Sequence, residues 1–151
     1  MNKGAFAFNK AIALQLHAIT EQDEALEWGK FRSGYVTIAG SNYEPPLDKR
    51  WLEVEQMMLA KADVYDQAIT AFLQMVRAQF FWDMNKRMGR FMMNGILLSN
   101  GFPIINVPAK RQQEFNRLML DFYLSDNMQP MNQFLRSCMN EKIIKNFQVR
   151  S

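Results

Sequence analysis

The residues best suited to chemistry fall in one window: Gln79-Phe80-Phe81-Trp82-Asp83-Met84-Asn85-Lys86-Arg87-Met88-Gly89-Arg90. A break near Trp82–Met84 precedes a helix predicted from about Asn85 to Ser99, which puts Lys86, Arg87 and Arg90 in its first turn. The helix macrodipole makes that end positive and favours anions there by a few tenths to about 1 kcal/mol each. Three cations on a positive helix end repel one another unless an anion sits among them. Unbonded backbone N–H groups at that end, with Arg87 and Arg90 three residues apart on one face, describe a phosphate site. Asp83 stands just outside, placed either to cap the helix or to hold Mg²⁺ against a bound polyphosphate. The plainer alternative is a solvated basic turn with Asp83 as its cap.

The same window resembles the signature of the Fic family (filamentation induced by cyclic AMP). That signature reads His, any, Phe, any, Asp or Glu, Gly or Ala, Asn, Gly or Lys, Arg, any, any, Arg. Phe81, Asp83, Asn85, Lys86, Arg87 and Arg90 fall in register with it. Upstream, Trp28-Gly29-Lys30-Phe31-Arg32, then Val36-Thr37-Ile38-Ala39-Gly40-Ser41 and Pro45-Pro46, look like the family's flap region. Downstream, Phe91-Met92-Met93-Asn94 and Gly101-Phe102-Pro103 look like its second motif helix and the exit from it. The resemblance spans roughly residues 10–138, so residues 1–151 are read as a single Fic-like domain.

The resemblance implies an all-α bundle around a central two-helix motif, with a small β-hairpin flap. It also implies transfer of AMP from ATP to a target hydroxyl. By resemblance, Asp83 coordinates Mg²⁺ together with ATP or another nucleotide. Asn85 and the amides around Lys86 hold the α- and β-phosphates, Arg87 and Arg90 clamp the β- and γ-phosphates, and Phe81 anchors the loop. The flap residues Tyr35, Val36, Thr37 and Ile38 would align a target protein by strand addition.

Two departures bear on activity. Gln79 stands at the family's histidine, the general base that takes the proton from the target hydroxyl. A glutamine amide does not titrate near neutrality, and losing a general base typically costs about 10²–10⁴-fold in rate. Met84 stands where Gly or Ala is usual, so a long side chain enters a tight phosphate loop. The sole histidine, His17, lies in the first helix beside Leu16 and Ala18 and reads as a structural or surface residue. Family members often carry an inhibitory helix with Ser or Thr, three residues, Glu, then Gly or Asn. Thr20 to Glu24 and Ser137 to Glu141 match only in part, and no built-in inhibitor is expected.

Mostly helical elements must position this window. Ala5, Phe8, Ile12, Leu16 and Ile19 recur at three and four, and the acidic stretch Glu21–Glu27 ends that first helix. Gly29 through Pro46 carries three glycines, two prolines and the β-favouring run Tyr35–Ile38, which reads as a small hairpin or extended flap. Helix signals return at Leu47, with Trp51, Val54 and Met58 on one face. Asp63 is a candidate N-cap for the next helix. There Val64, Ala68, Phe72, Val76 and Phe80 are spaced by four, with Ile69, Leu73 and Met75 beside them. Such breadth predicts the central buried helix. Asn100-Gly101 ends the helix after the motif. Phe115, Leu118, Met119 and Phe122 form a further stripe. Pro130 starts a helix with Phe134, Leu135 and Cys138, and Glu141–Val149 reads as a last one.

Composition sets the outer bounds. With 151 residues, 48% hydrophobic and 22% charged, the chain suits one globular domain and excludes disorder or a disulfide scaffold. Cys138 has no partner for an internal disulfide, and no secretory signal core is present, so a cytoplasmic location is expected. The longest uncharged stretch, 91–109, is broken by Gly95, Gly101, Pro103 and Pro108, and no membrane span is expected. The 12 methionines read as packing. Residues 1–76 carry seven Lys/Arg against ten Asp/Glu, and residues 77–151 eleven against five. The basic half points toward anions. Nucleic acid is not favoured, because no aromatic-interleaved basic stripe or helix-turn-helix pattern stands out.

The leading expectation is a Fic-like protein that keeps a nucleotide or phosphate site and has lost its general base. The alternatives are an active Fic-type transferase with an unconventional base, and a non-catalytic interaction module using the flap and Met-rich surfaces. Oligomeric state is not set by the sequence.

Overall fold

A computed structural model describes residues 8–20, 29–47 and 51–139. Among them are six α-helices, one 3₁₀ turn at Ala109–Arg111 and no strand. The helices are α1 (Lys10–Thr20), α2 (Trp51–Leu59), α3 (Val64–Ala78), α4 (Asn85–Ser99), α5 (Gln112–Ser125) and α6 (Gln129–Ser137). None is long and apolar enough to cross a membrane. The acidic stretch after α1, most of the partial inhibitory patterns and the expected helix from Glu141 lie outside the described residues.

The central helix is α3. Asp63 caps it by accepting the Asp66 N–H at 3.0 Å, and every residue from Ala68 to Val76 is buried. On one side α3 shares a core with α4, α5 and α6 through Phe72, Val76, Leu97, Phe115, Phe122 and Phe134. On the other, Met75 and Ala78 meet Trp51, Val54, Phe80, Phe81, Met88 and Met92. Rings lock this second cluster: Phe31 stacks on Phe80 at 4.7 Å and Phe8 on Trp51 at 4.7 Å. Met58, Met75, Met88, Met92, Met93, Met119 and Met131 are all buried. Unbranched, polarizable side chains fill the irregular gaps between helices and aromatic rings.

Helices α3 and α4 approach closely at Gly89. A Cβ there would lie 2.9 Å from Phe72 Cδ2, 3.0 Å from Val76 Cγ2 and 3.3 Å from the Phe72 carbonyl oxygen. This contact fixes where the start of α4 sits relative to the end of α3. The sixth helix is tied to the start of α3 by Arg136, whose Nη2 lies 2.9 Å from Asp63 and 2.7 Å from Asp66.

The expected β-hairpin does not form. Two arms, 31–38 with a bend at Ser33-Gly34 and 41–46, are joined by a turn at Ala39-Gly40, without a ladder between them. Pro45 and Pro46 lack the N–H groups that a returning strand needs. The arms bind the helical body instead: the Arg32 N–H donates to the Phe80 carbonyl at 2.8 Å, and Ile38 and Tyr43 pack on the core.

Gly89→Val is expected to destabilise the fold by about 2–3 kcal/mol, because the added methyls must displace Phe72 and Val76. Gly89→Ala should cost less, since alanine's helix preference of about 1 kcal/mol offsets part of the overlap. Urea unfolding reads both, and unchanged stability for Gly89→Val would show that the two helices do not meet this closely.

Candidate functional site

The loop between α3 and α4 begins and ends with left-handed backbone. Gln79 caps α3 at φ 50°, ψ 57°, its N–H donating to the Met75 and Val76 carbonyls. Met84 precedes α4 at φ 61°, ψ 24°. Between them Phe80 and Phe81 turn inward. Phe81 is fully buried, stacked on His17 at 4.0 Å and edge-on to Phe31 at 5.4 Å. Burying such a ring contributes roughly 1.5–3 kcal/mol, enough to pin the loop to the core.

Polar contacts fix the rest. The Asn85 Oδ1 accepts the Phe81 N–H at 3.0 Å, and its Nδ2 donates to the Phe81 carbonyl at 2.9 Å and to Gln79 Oε1 at 3.0 Å. Gln79 Nε2 donates to the Val76 carbonyl at 2.7 Å. Both amides are therefore engaged within the loop, and both adjoin the cavity beside it. From the flap, the buried Arg32 guanidinium donates to the carbonyls of Gln79, Gly34, Pro46 and Ala78. Trp82 lies against Gly34 so closely that a Cβ there would come within 2.7 Å of its ring.

These supports frame a cavity of about 370 Å³ lined by Gln79, Met84, Asn85, Lys86, Arg87, Arg90, Ile38 and Tyr123. No carboxylate lines it. The first turn of α4 holds no acidic residue, and Met84 offers no side-chain cap to its amides. Lys86 Nζ sits 5.7 Å and Arg90 Cζ 5.3 Å from the centre of the Phe115 ring, which groups two cations on one face of α4. Burial pushes the Lys86 ammonium pKa down, and the neighbouring Arg90 charge adds to that shift. Burial alone lowers that of Arg90. Both groups would be relieved by an anion between them.

The structure thus brings together Gln79, Asn85, Lys86, Arg87, Arg90 and Ile38. Asp83, Tyr35, Val36 and Thr37 do not line the cavity. Tyr35 is 77% exposed at the flap surface, and residues 35–38 alternate outward and inward as an extended arm does. Asp83 Oδ1 is buried without a hydrogen-bond partner. No group of three acidic, His or Cys side chains among the described residues can hold a metal. An Mg²⁺ ion at Asp83 would therefore take most of its oxygens from phosphate and water, a common arrangement for that ion.

His17 is fully buried behind the loop, and its Nδ1 accepts the Gly29 N–H at 2.9 Å. It does not line the cavity. Two site residues were not assigned from the sequence. Arg32 stands two residues after Lys30 among flap glycines and aromatics, and nothing in the sequence separates the two cations. Tyr123 carried no signal beyond its place next to Phe122. A second cavity of about 550 Å³ lies beside the start of α6, but Asp66 and Asp126 line it with Lys61, so it lacks a cationic field.

Residues 7–97 match the model of the Fic/DOC family. No curated protein matches the chain. Among solved structures, it is similar to Fic-1 (aa134–508) from C. elegans, with a TM-score of 0.73 and 18% identity. The match covers 95% of this chain and 44% of that one, so the chain spans less than half the length of its structural relative.

Met84→Gly is expected to stabilise the protein by about 0.5–1 kcal/mol. Left-handed backbone costs a non-glycine residue about 1–2 kcal/mol, and glycine's greater unfolded-chain entropy returns part of that gain. A lowered urea midpoint would instead reveal a supporting role for the methionine side chain.

Proposed function

The chain belongs to the Fic/DOC family, and from that premise we propose that it binds a nucleotide or other phosphorylated ligand at the start of α4, with AMP transfer to protein hydroxyls impaired or lost. The observation that carries this reading is the cavity where Lys86, Arg87 and Arg90 meet with no carboxylate among its lining residues. Cations and helix amides converging on one space suit phosphate oxygens, and the volume falls within the range of small-ligand pockets. Asp83, just outside the cavity, is the residue that would hold Mg²⁺ carried in by the phosphates, a charge that would offset that of the bound phosphates. The extended flap, with Tyr35 outermost, offers unladdered backbone for a target segment to pair with.

Impaired transfer follows from Gln79. Its amide is tied to Val76 and Asn85 and has no titratable proton acceptor for a target hydroxyl. His17, stacked behind Phe81, is not positioned to replace it. The glutamine keeps the loop's shape while removing its base.

Calorimetric titration with ATP, with and without Mg²⁺, tests the binding. Arg87→Ala combined with Arg90→Ala should weaken it tenfold or more, since charge-assisted contacts contribute about 1.5–3 kcal/mol each; equal affinity in wild type and double variant refutes the site.

AMP incorporation into lysate proteins tests the chemistry. Wild type should label weakly or not at all, and Gln79→His should raise labelling by supplying an imidazole of pKa near ~6.5. Gln79→His with Met84→Gly should raise it further. Robust wild-type labelling lost on Asp83→Ala would establish an active enzyme with an unconventional base.

A further inference from the structure

The flap and the motif loop meet at one buried side chain, Arg32, which is 8% exposed. Its Nη1 donates to the Gly34 carbonyl at 2.8 Å and its Nη2 to the Pro46 carbonyl at 2.7 Å. Gly34 stands before the turn of the flap and Pro46 after it, so one guanidinium closes the flap's neck. The same group reaches the motif. Its Nε donates to the Gln79 carbonyl and its Nη2 to that of Ala78 at 3.2 Å, while the Arg32 N–H donates to the Phe80 carbonyl at 2.8 Å. Two residues of the cavity wall depend on these contacts: Gln79 directly, and Ile38 because it lies in the flap between Gly34 and Pro46. Gln79 is left-handed at φ 50°, a backbone that a Cβ disfavours, and the bond to its carbonyl helps to hold it there. The flap has no ladder, and an unclamped segment of that length gains entropy by opening.

We propose that Arg32 is a positioning residue for this cavity: by clamping the neck of the flap to the end of α3, it holds Ile38 and Gln79 at a fixed spacing around a phosphorylated ligand. The proposal rests on the phosphate-binding reading above and adds that flap and loop act on the ligand as one unit. Arg32 does not line the cavity and acts only through the backbone carbonyls it bonds. Ile38 places apolar surface beside the cations at the start of α4, where it displaces water and so strengthens their attraction for phosphate. A flap that drifts from the loop readmits that water. Lysine cannot do the same work. Its ammonium is a compact, strongly hydrated point charge, whereas the planar guanidinium fork spans carbonyls on both segments.

The test compares the whole chain as wild type, Arg32→Lys, Ile38→Ala, those two combined, and Arg87→Ala with Arg90→Ala. Each is melted without ligand and then titrated calorimetrically with ATP and Mg²⁺ well below its Tm. Arg32→Lys is expected to bind about tenfold more weakly, as when a group that orients a binding wall is lost. Ile38→Ala should weaken wild-type binding about threefold, a small apolar truncation, yet leave the affinity of Arg32→Lys unchanged, because effects within one connected unit do not add. A lowered Tm with wild-type affinity in Arg32→Lys assigns the guanidinium to the fold alone and overturns the proposal, as do losses that simply add. Hydrogen exchange on the wild type decides the matter if Arg32→Lys does not fold. ATP with Mg²⁺ should slow exchange in residues 34–46 together with 79–90, whereas protection confined to the loop and α4 overturns the proposal and leaves the phosphate site standing. Wild-type affinity in the Arg87→Ala, Arg90→Ala variant, or no binding by any form, brings down the phosphate reading and this proposal with it.

Discussion

Arg32 joins the two segments on which the site depends. Its guanidinium donates to Ala78 and Gln79, the last carbonyls at the end of α3, and to Gly34 and Pro46 within the flap. A buried cation is costly unless its hydrogens are satisfied, and burial pulls the Arg32 pKa down. Four carbonyls, two of them at the negative end of a helix, meet that requirement without a carboxylate. The same contacts give the flap a fixed base although it has no ladder of its own. An ion pair could not do this, because an acidic partner would satisfy the guanidinium and leave the carbonyls unbonded. Truncating Arg32 would remove a donor from all four at once.

From that base the architecture serves one end of one helix. The Asn85 carboxamide bonds both backbone groups of Phe81, so the loop closes on itself before α4 begins. Gln79 and Met84 both adopt left-handed backbone, a conformation that a Cβ disfavours and that glycine adopts freely. Gly89 lets α3 and α4 approach closely enough that the loop needs only a few residues. Lys86 and Arg90 are then held over the Phe115 ring of α5. Helix dipole, like charges and burial all act against the ligand-free arrangement, and an anion relieves each of them.

On the function proposed above, Gln79 separates two properties, the shape of the loop and the transfer of a proton. Gln79 donates to Val76 and accepts from Asn85, which are shape-keeping roles open to any side chain with a donor and an acceptor. Proton transfer needs a group that titrates. A loop can therefore keep its geometry and its anion-binding field while lacking a base. The chain's only histidine is engaged elsewhere, stacked on Phe81 and accepting from Gly29.

Periodicity and punctuation made most of the helices legible. Asn85–Ser99 could be read from its flanking break and Asn100-Gly101 stop, α3 from its four-residue spacing and Asp63 cap, and α6 from Pro130. The cations at the start of α4 were equally plain, because their conflict with the helix dipole is local and needs no tertiary knowledge. Other features were decided only by the fold. A run of β-favouring residues does not say whether it will find a strand partner, and here the returning arm ends in prolines and its base is taken by Arg32. Asn85 reads as a ligand-facing amide in the motif, yet its hydrogen bonds go to Phe81 and Gln79. His17 could have been surface or core until the aromatic cluster closed around it. Tyr123 lies more than thirty residues beyond the motif, and only tertiary packing brings it to the wall of the cavity. The sequence by itself determined the helices and the position of the charges, because both follow from neighbours three or four residues apart. Tertiary structure decided which polar groups face one another, because that depends on contacts between segments distant along the chain.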